Sequence, residues 1–283
     1  MEPVGTTVGA GTIAAVGVTL CICLILPIII YITYGVKNKG KGVWTAWLLG
    51  AAGFFVMQII IRTPILNILS LSEGFMSFSQ NHYVCYCFVL ALTAALFELV
   101  GRYAVAKIMS KNLTFERGIA AGLGHGGIEA MFLIGMAYIS NLLYIVMINA
   151  GTFDTMVEQT AALGVDTSSL IAVKDGLLAT SPMMFLLAGY ERILTMIFHL
   201  AMSLLVCHFV RRKKDLLGLG ICLVFHFLID FTAPLINGMS TEYLGNVIST
   251  STAYVIIYIF LTVVAIASVF GIKKIKNEWG KSI

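Results

Sequence analysis

His125 and Glu129 lie four residues apart in Gly118–Ala130, GIAAGLGHGGIEA, inside a run otherwise apolar enough to cross a membrane. An ionisable side chain at mid-helix in hydrocarbon costs about 2.5 to 3.5 kcal/mol, so such residues usually face a pocket or pathway and mark function. Three other apolar runs carry similar residues: LFELVGRY with Glu98 and Arg102, ERILTMIFHL with Glu191, Arg192 and His199, and FHFLIDF with His226 and Asp230. A spacing of four lets two helical side chains meet. Seven residues make two turns, so Arg192 and His199 share a face. Carboxylates, imidazoles and guanidinium groups buried together suit water activation: one carboxylate takes the proton, histidine or arginine stabilises the oxyanion, and a protonated group serves the leaving amine. His125, His199 and His226 on three helices also match the ligand count of an open catalytic zinc site with a carboxylate left as base. No His-Glu-x-x-His pair brings two ligands onto one helix, and the cofactor stays open between none and a divalent metal such as zinc. No serine or cysteine accompanies the cluster in a nucleophile motif, so acyl-enzyme chemistry fits poorly.

The elements that must position these residues are membrane helices. The chain is 59% hydrophobic and 11% charged, and its mean hydropathy of +0.95 lies far outside the range of soluble globular proteins. Stretches near the ~20 apolar residues a span needs fall at about 11–34, 43–61, 83–107, 118–147, 183–210, 216–236 and 251–272. The expected fold is an all-α, polytopic bundle of seven spans in the cell membrane, forming one domain with a catalytic core at about 83–236. Glycine or alanine at 118, 122, 126 and 130 makes a smooth stripe that lets a second backbone approach closely. Pro27 is expected to kink the first span. The second runs past Arg62 and Pro64, with Arg62 expected to snorkel to the interface.

Lysine and arginine concentrate after alternate spans: Lys37, Lys39 and Lys41; Lys107, Lys111 and Arg117; Arg211 to Lys214; Lys273 to Lys281. All four groups fall on one side, which the positive-inside rule makes cytoplasmic, with the amino terminus outside and the carboxyl terminus inside. The net charge of +4 therefore reflects topology, and nucleic acid is not an expected partner. The start, MEPVGTTVGAGTIAAV, lacks a basic n-region, so the first span is expected to be retained. Between the fourth and fifth spans, residues 151–182 alternate apolar and polar, with Gly164 and Gly176 as breaks, and predict one or two short amphipathic helices over the bundle. The six cysteines all lie in spans and read as small apolar residues.

Depth links the separate motifs. Counted at 1.5 Å per residue from the positively charged end of each span, Glu98, His125, Glu129, His199, His226 and Asp230 all lie roughly 10 to 21 Å in. Four helices thus deliver polar groups to one layer.

At these residues the chain resembles the YhfC family of membrane peptidases, within the wider group that includes PrsW-type proteases and CAAX-prenyl endopeptidases. The resemblance covers roughly residues 83–236. Glu98 and Arg102 resemble the second Glu and the Arg of a Glu-Glu-x-x-x-Arg motif. GHGGIEA is similar to the second PrsW motif, in which a Glu closes a Gly-Phe-Ala segment. Arg192 through His199, and then His226 to Asp230, resemble the later histidine motifs, the last a His-x-x-x-Asp where prenyl endopeptidases carry Asn. One departure is Phe97, which stands where the catalytic first Glu of the double-Glu motif would be. Glu98 and Glu129 are then the candidate bases, Glu129 preferred because it shares a helical face with His125. The resemblance implies hydrolysis of a peptide bond in a membrane protein or peptide that reaches the site from the bilayer. The residues alone leave two other readings open: a proton-coupled transporter, and a non-catalytic binding or assembly protein on the same scaffold.

Overall fold

The computed structural model describes residues 6–281, and every regular element among them is helical. The first five residues of the amino-terminal stretch read above lie outside the described residues. Seven helices are long and apolar enough to cross a membrane: Ala10–Lys37, Val43–Leu69, Tyr83–Ile108, Phe115–Asn149, Pro182–Arg211, Asp215–Gly238 and Thr250–Trp279. They are numbered here as the first to seventh spans. Several outrun the apolar stretch that announced them, because the helix continues into polar flanks such as Phe115–Arg117 and Lys273–Trp279. An apolar run measures hydrocarbon thickness, not helix length.

Wide π-helical turns interrupt the first span at Cys21–Ile25, the second at Phe55–Arg62 and the fourth at Ala130–Gly135. The first two end just before Pro27 and Pro64. A proline lacks the backbone donor and crowds the carbonyl four residues back, and a widened turn relieves both. The third has no proline and begins directly after Glu129.

By internal contacts the described chain forms two compact units. One comprises residues up to Ile28 together with Ala130–Ile193. Its core holds Val8, Val16, Tyr138, Ile145, Phe153, Leu177 and Phe185. The Phe185 carbonyl accepts hydrogen bonds from Thr19 Oγ1 at 2.6 Å and Tyr138 Oη at 3.2 Å. Two short helices, Phe153–Ala162 and Ser168–Ala179, stand where one or two are expected, and Phe153 and Leu177 are their fully buried residues in that core. Gly164, at φ +74°, breaks the chain between them as expected. Gly176 does not: it sits inside the second helix, where the apolar residues around it carry the turn through.

The other unit comprises Ile29–Glu129 and residues from Leu194 onward. Its central element is the first part of the fourth span, whose glycines admit neighbours on two sides. A methyl group at Gly124 would overlap the Trp47 carbonyl of the second span. One at Gly122 would lie 2.7 Å from Leu200 Cα of the fifth span, and one at Gly126 3.1 Å from Met196 Cα. The small-residue stripe therefore serves close backbone approach, as its spacing predicts. The third and sixth spans meet through Phe88 and Phe227, whose ring centroids are 5.0 Å apart, and through Tyr83 Oη donating to the Pro234 carbonyl at 2.9 Å.

The basic groups of this unit share one end. Lys41 pairs with Glu116 at 2.7 Å, Lys107 with Asp215 at 3.0 Å, and Arg212 with Glu278 at 3.4 Å.

Candidate functional site

Glu98, Arg102, His125, Glu129, His199 and His226 converge in the interior of the second unit, each between 1% and 7% exposed. The i,i+4 spacing in the third span places Arg102 Nη2 2.9 Å from Glu98 Oε2. The same Glu98 oxygen lies 2.9 Å from His125 Nε2, 3.5 Å from His199 Nδ1 and 3.6 Å from His226 Nε2. Its other oxygen accepts from Gln58 Nε2 at 2.7 Å. Glu98 is thus the carboxylate around which the three histidines gather. Glu129 joins through the fifth span, with Oε2 2.7 Å from His199 Nε2. Although Glu129 and His125 share a helical face, His125 pairs with Glu98 and Glu129 with His199. The close approach permitted by Gly122 and Gly126 brings the fifth span against this face and inserts His199 between them.

Arg102 fixes the protons on two of the imidazoles. Arginine has donors and no acceptor, so Nη2 donates to His199 Nδ1 at 2.6 Å and Nη1 to His226 Nδ1 at 3.0 Å. Both neutral rings must then carry their proton on Nε2. His199 Nε2 lies 2.7 Å from Glu129 Oε2, while His226 Nε2 faces Asp230 Oδ2 at 3.3 Å. Aromatic rings close the cluster: Phe54 stands edge-on to His125 at 5.1 Å, and Phe198 contacts His199 and His226 at 5.5 and 5.7 Å.

Ligand atoms of Glu98, His125, Glu129 and His199 all lie within 4.8 Å of one another, so this buried group could hold a metal ion. The three-histidine set expected from the sequence shares His125 and His199 with it. His226 stands beside the group, its Nδ1 taken by Arg102 and its Nε2 turned to Asp230. Oxygen and imidazole donors in this mixture suit a divalent cation such as zinc. With Arg102 at His199 Nδ1, Nε2 is the atom that would ligate, and as a neutral ligand the ring would then carry its proton on Nδ1, with Arg102 Nη2 turning away from it.

Asp230, with its side chain 31% exposed, marks the edge of the cluster. Arg192 is buried in the other unit, where it is ion-paired with Glu191. Half-buried Arg62 donates to the Leu90 carbonyl at 2.8 Å, to Thr93 Oγ1 at 3.2 Å and to Gln58 Oε1 at 3.2 Å. Those acceptors on the third span and on Gln58 satisfy the guanidinium inside the protein, and through Gln58 tie it to Glu98. The sequence reading did not count Gln58 as a site residue. Its signal was a lone amide in the apolar run FVMQIII.

The profile of the family described as YhfC intramembrane metalloprotease matches residues 22–249. The uncharacterized membrane protein YhfC of Bacillus subtilis (strain 168) is 29% identical over 258 residues, covering 90% of this chain and 93% of the relative. No solved structure matches. The matched region contains every span that contributes to the Glu98 cluster, and with seven helices among the described residues long and apolar enough to cross a membrane, the chain is a multi-pass membrane protein that belongs to the YhfC intramembrane metalloprotease family.

Proposed function

We propose that this protein is an intramembrane endopeptidase that hydrolyses a peptide bond of a membrane-associated protein or peptide. The observation that carries the reading is the meeting of two carboxylates, three imidazoles and one guanidinium, drawn from the third to sixth spans, around Glu98 Oε2. The core expected at 83–236 is kept, with Gln58 added to it. Glu98 and Glu129 take different roles. Both oxygens of Glu98 already accept from Gln58, Arg102 and His125, which suits a fixed anion or ligand and leaves Glu129 as the base. Glu98, His125 and His199 would hold a divalent metal, two imidazoles and a carboxylate being a known catalytic zinc set. Such an ion, when bound, supplies Lewis-acid polarisation and acidifies water.

The chain's own groups then account for the proton's path. Glu129 takes a proton from water as the water oxygen bonds to the scissile carbonyl carbon. The oxyanion that forms would accept from His226 Nε2–H in place of Asp230, the Nε2–H tautomer being the one Arg102 fixes. Protonated Glu129 returns the proton to the amine as the C–N bond breaks. Arg192 is assigned no step.

The test uses purified protein in lipid nanodiscs with membrane substrates identified by amino-terminal peptide profiling. Glu129→Gln should abolish cleavage while elemental analysis still finds metal, and His199→Ala should lose both. Cleavage retained by a Glu98→Gln, Glu129→Gln double variant sinks the peptidase reading. Phe97, in place of the first Glu of the related motif, favours a non-catalytic assembly protein as the second reading. Under that reading the carboxylate variants keep biological activity.

A further inference from the structure

Arg102 has a donor that none of the contacts above uses. Its Nε is buried without a hydrogen-bond partner, and so is Ser203 Oγ on the fifth span. Both residues line the same small cavity, together with Gly50, Val105, Ala121, His125 and Cys207. Its volume is about 10 Å³, close to the least that admits the centre of one water molecule. A buried polar group left without a partner bears the full cost of its lost hydration. A single water between the two groups removes both penalties, accepting from Arg102 Nε–H and hydrogen-bonding to the Ser203 hydroxyl, with the Cys207 thiol as a weak third partner.

We propose that this cavity is a binding site for one ordered water, and that Ser203 acts through it as a positioning residue for Arg102. The guanidinium is then held on all its edges. Nη1 and Nη2 grip His226, His199 and Glu98, and the water anchors Nε against the fifth span. A rotation of Arg102 would release the Nδ1 atoms of both histidines and with them the choice of which nitrogen carries the proton. Ser203 thereby fixes the tautomers of a cluster it does not touch. The inference concerns the geometry of the cluster and stands whether or not that cluster cleaves peptides.

Radiolytic labelling in ¹⁸O-water tests the water site, because hydroxyl radicals formed at an ordered buried water oxidise the residues beside it. Cys207 and Cys222 are an internal pair: both are buried, at 2% and 0% exposure, and only Cys207 lines the cavity. In the wild-type protein in nanodiscs Cys207 should be labelled well above Cys222. Ser203→Val, which removes the hydroxyl and fills the space, should bring Cys207 down to the Cys222 level, while Ser203→Thr should retain the label. Equal labelling of the two cysteines in the wild type, or an unchanged Cys207 in Ser203→Val, overturns the water site. Should Ser203→Val fail to fold, Ser203→Ala serves, since a water with one partner fewer also labels less.

Positioning has its own readout. In metal-free protein, ¹⁵N histidine spectra should report His199 and His226 as Nε2–H tautomers in the wild type and in Ser203→Thr. In Ser203→Val or Ser203→Ala both should shift or broaden, with exposed His82 as the unmoved control. Labelling lost with both histidine signals unchanged overturns the positioning role. Neither readout uses proteolysis, so an inactive protein fails the peptidase reading and leaves this one to be judged separately.

Discussion

Arg102 is the permanent charge at the centre of the cluster, and its burial makes its partners energetically consequential. Removing one member of a buried, hydrogen-bonded ion pair costs about 3 to 5 kcal/mol, chiefly because the other charge is left behind. Arg102→Met should therefore lower stability strongly, leaving Glu98 with only Gln58 and His125 as strong donors. Glu98→Gln should cost less, since the amide keeps an oxygen that Arg102 can use. A double Glu98→Met, Arg102→Met variant should be more stable than Arg102→Met alone, because no charge remains uncompensated. Thermal unfolding in detergent measures all three, and additive losses in the double variant would contradict the pairing. Gln58→Leu should destabilise by about 1 to 3 kcal/mol, the cost of leaving a buried acceptor unsatisfied. Only part of this cluster is legible in the sequence. The Glu98–Arg102 pair was legible because four residues is a helical near-neighbour distance. The pairing of His125 with Glu98 was not, because a helical face says which way a side chain points and not which neighbouring helix answers it.

The helices that carry these residues depend on glycines in two distinct ways. Gly122 and Gly124 sit where a neighbouring backbone leaves no space for a methyl group, whereas a methyl at Gly220 or Gly271 meets nothing within 4 Å. Gly124→Ala and Gly122→Ala should each destabilise, by about 1 to 3 kcal/mol on the scale of overpacked cores, and by spreading the fourth span from its neighbours should lower metal retention as well. Gly220→Ala should act oppositely, raising stability by up to about 1 kcal/mol through helix propensity alone. Unfolding midpoints of the three variants decide this, and a similar loss for all would mean that close approach is not what the stripe provides. The stripe at 118, 122, 126 and 130 was readable because its period matches a helix face. Gly124 and Gly50 lie off that stripe, and their role appears only once the second span is seen against the fourth. Wide turns before Pro27 and Pro64 follow from proline chemistry. The one after Glu129 has no local signature, and Gly176 shows the converse, a breaker residue overruled by its helix.

At the scale of the whole molecule, orientation decides which membrane surface lies nearer the cluster. Within the second unit the ion pairs Lys41–Glu116, Lys107–Asp215 and Arg212–Glu278 draw four basic segments to one end. Four segments sharing an end is what the alternation of charge along the chain predicts, and by the positive-inside rule that end is expected to face the cytoplasm. Successive crossings of a membrane alternate in direction, so with seven crossings residues 151–182 between the fourth and fifth should face outside. Single-cysteine labelling tests this in a background where all six native cysteines are replaced. Four of these are buried, and the other two, Cys21 and Cys85, lie within spans, so replacing them with small apolar residues should leave the fold intact. Cysteine at Asn38 and at Asn277 should react with a membrane-impermeant maleimide only after cells are opened. Cysteine at Val165, exposed between the two short helices, should react with intact cells. The reverse pattern would invert the molecule and place Glu98 and His125 nearer the outer surface. Labelling of Asn38 and Val165 from the same side would break the seven-span reading itself, because an odd number of crossings must separate them.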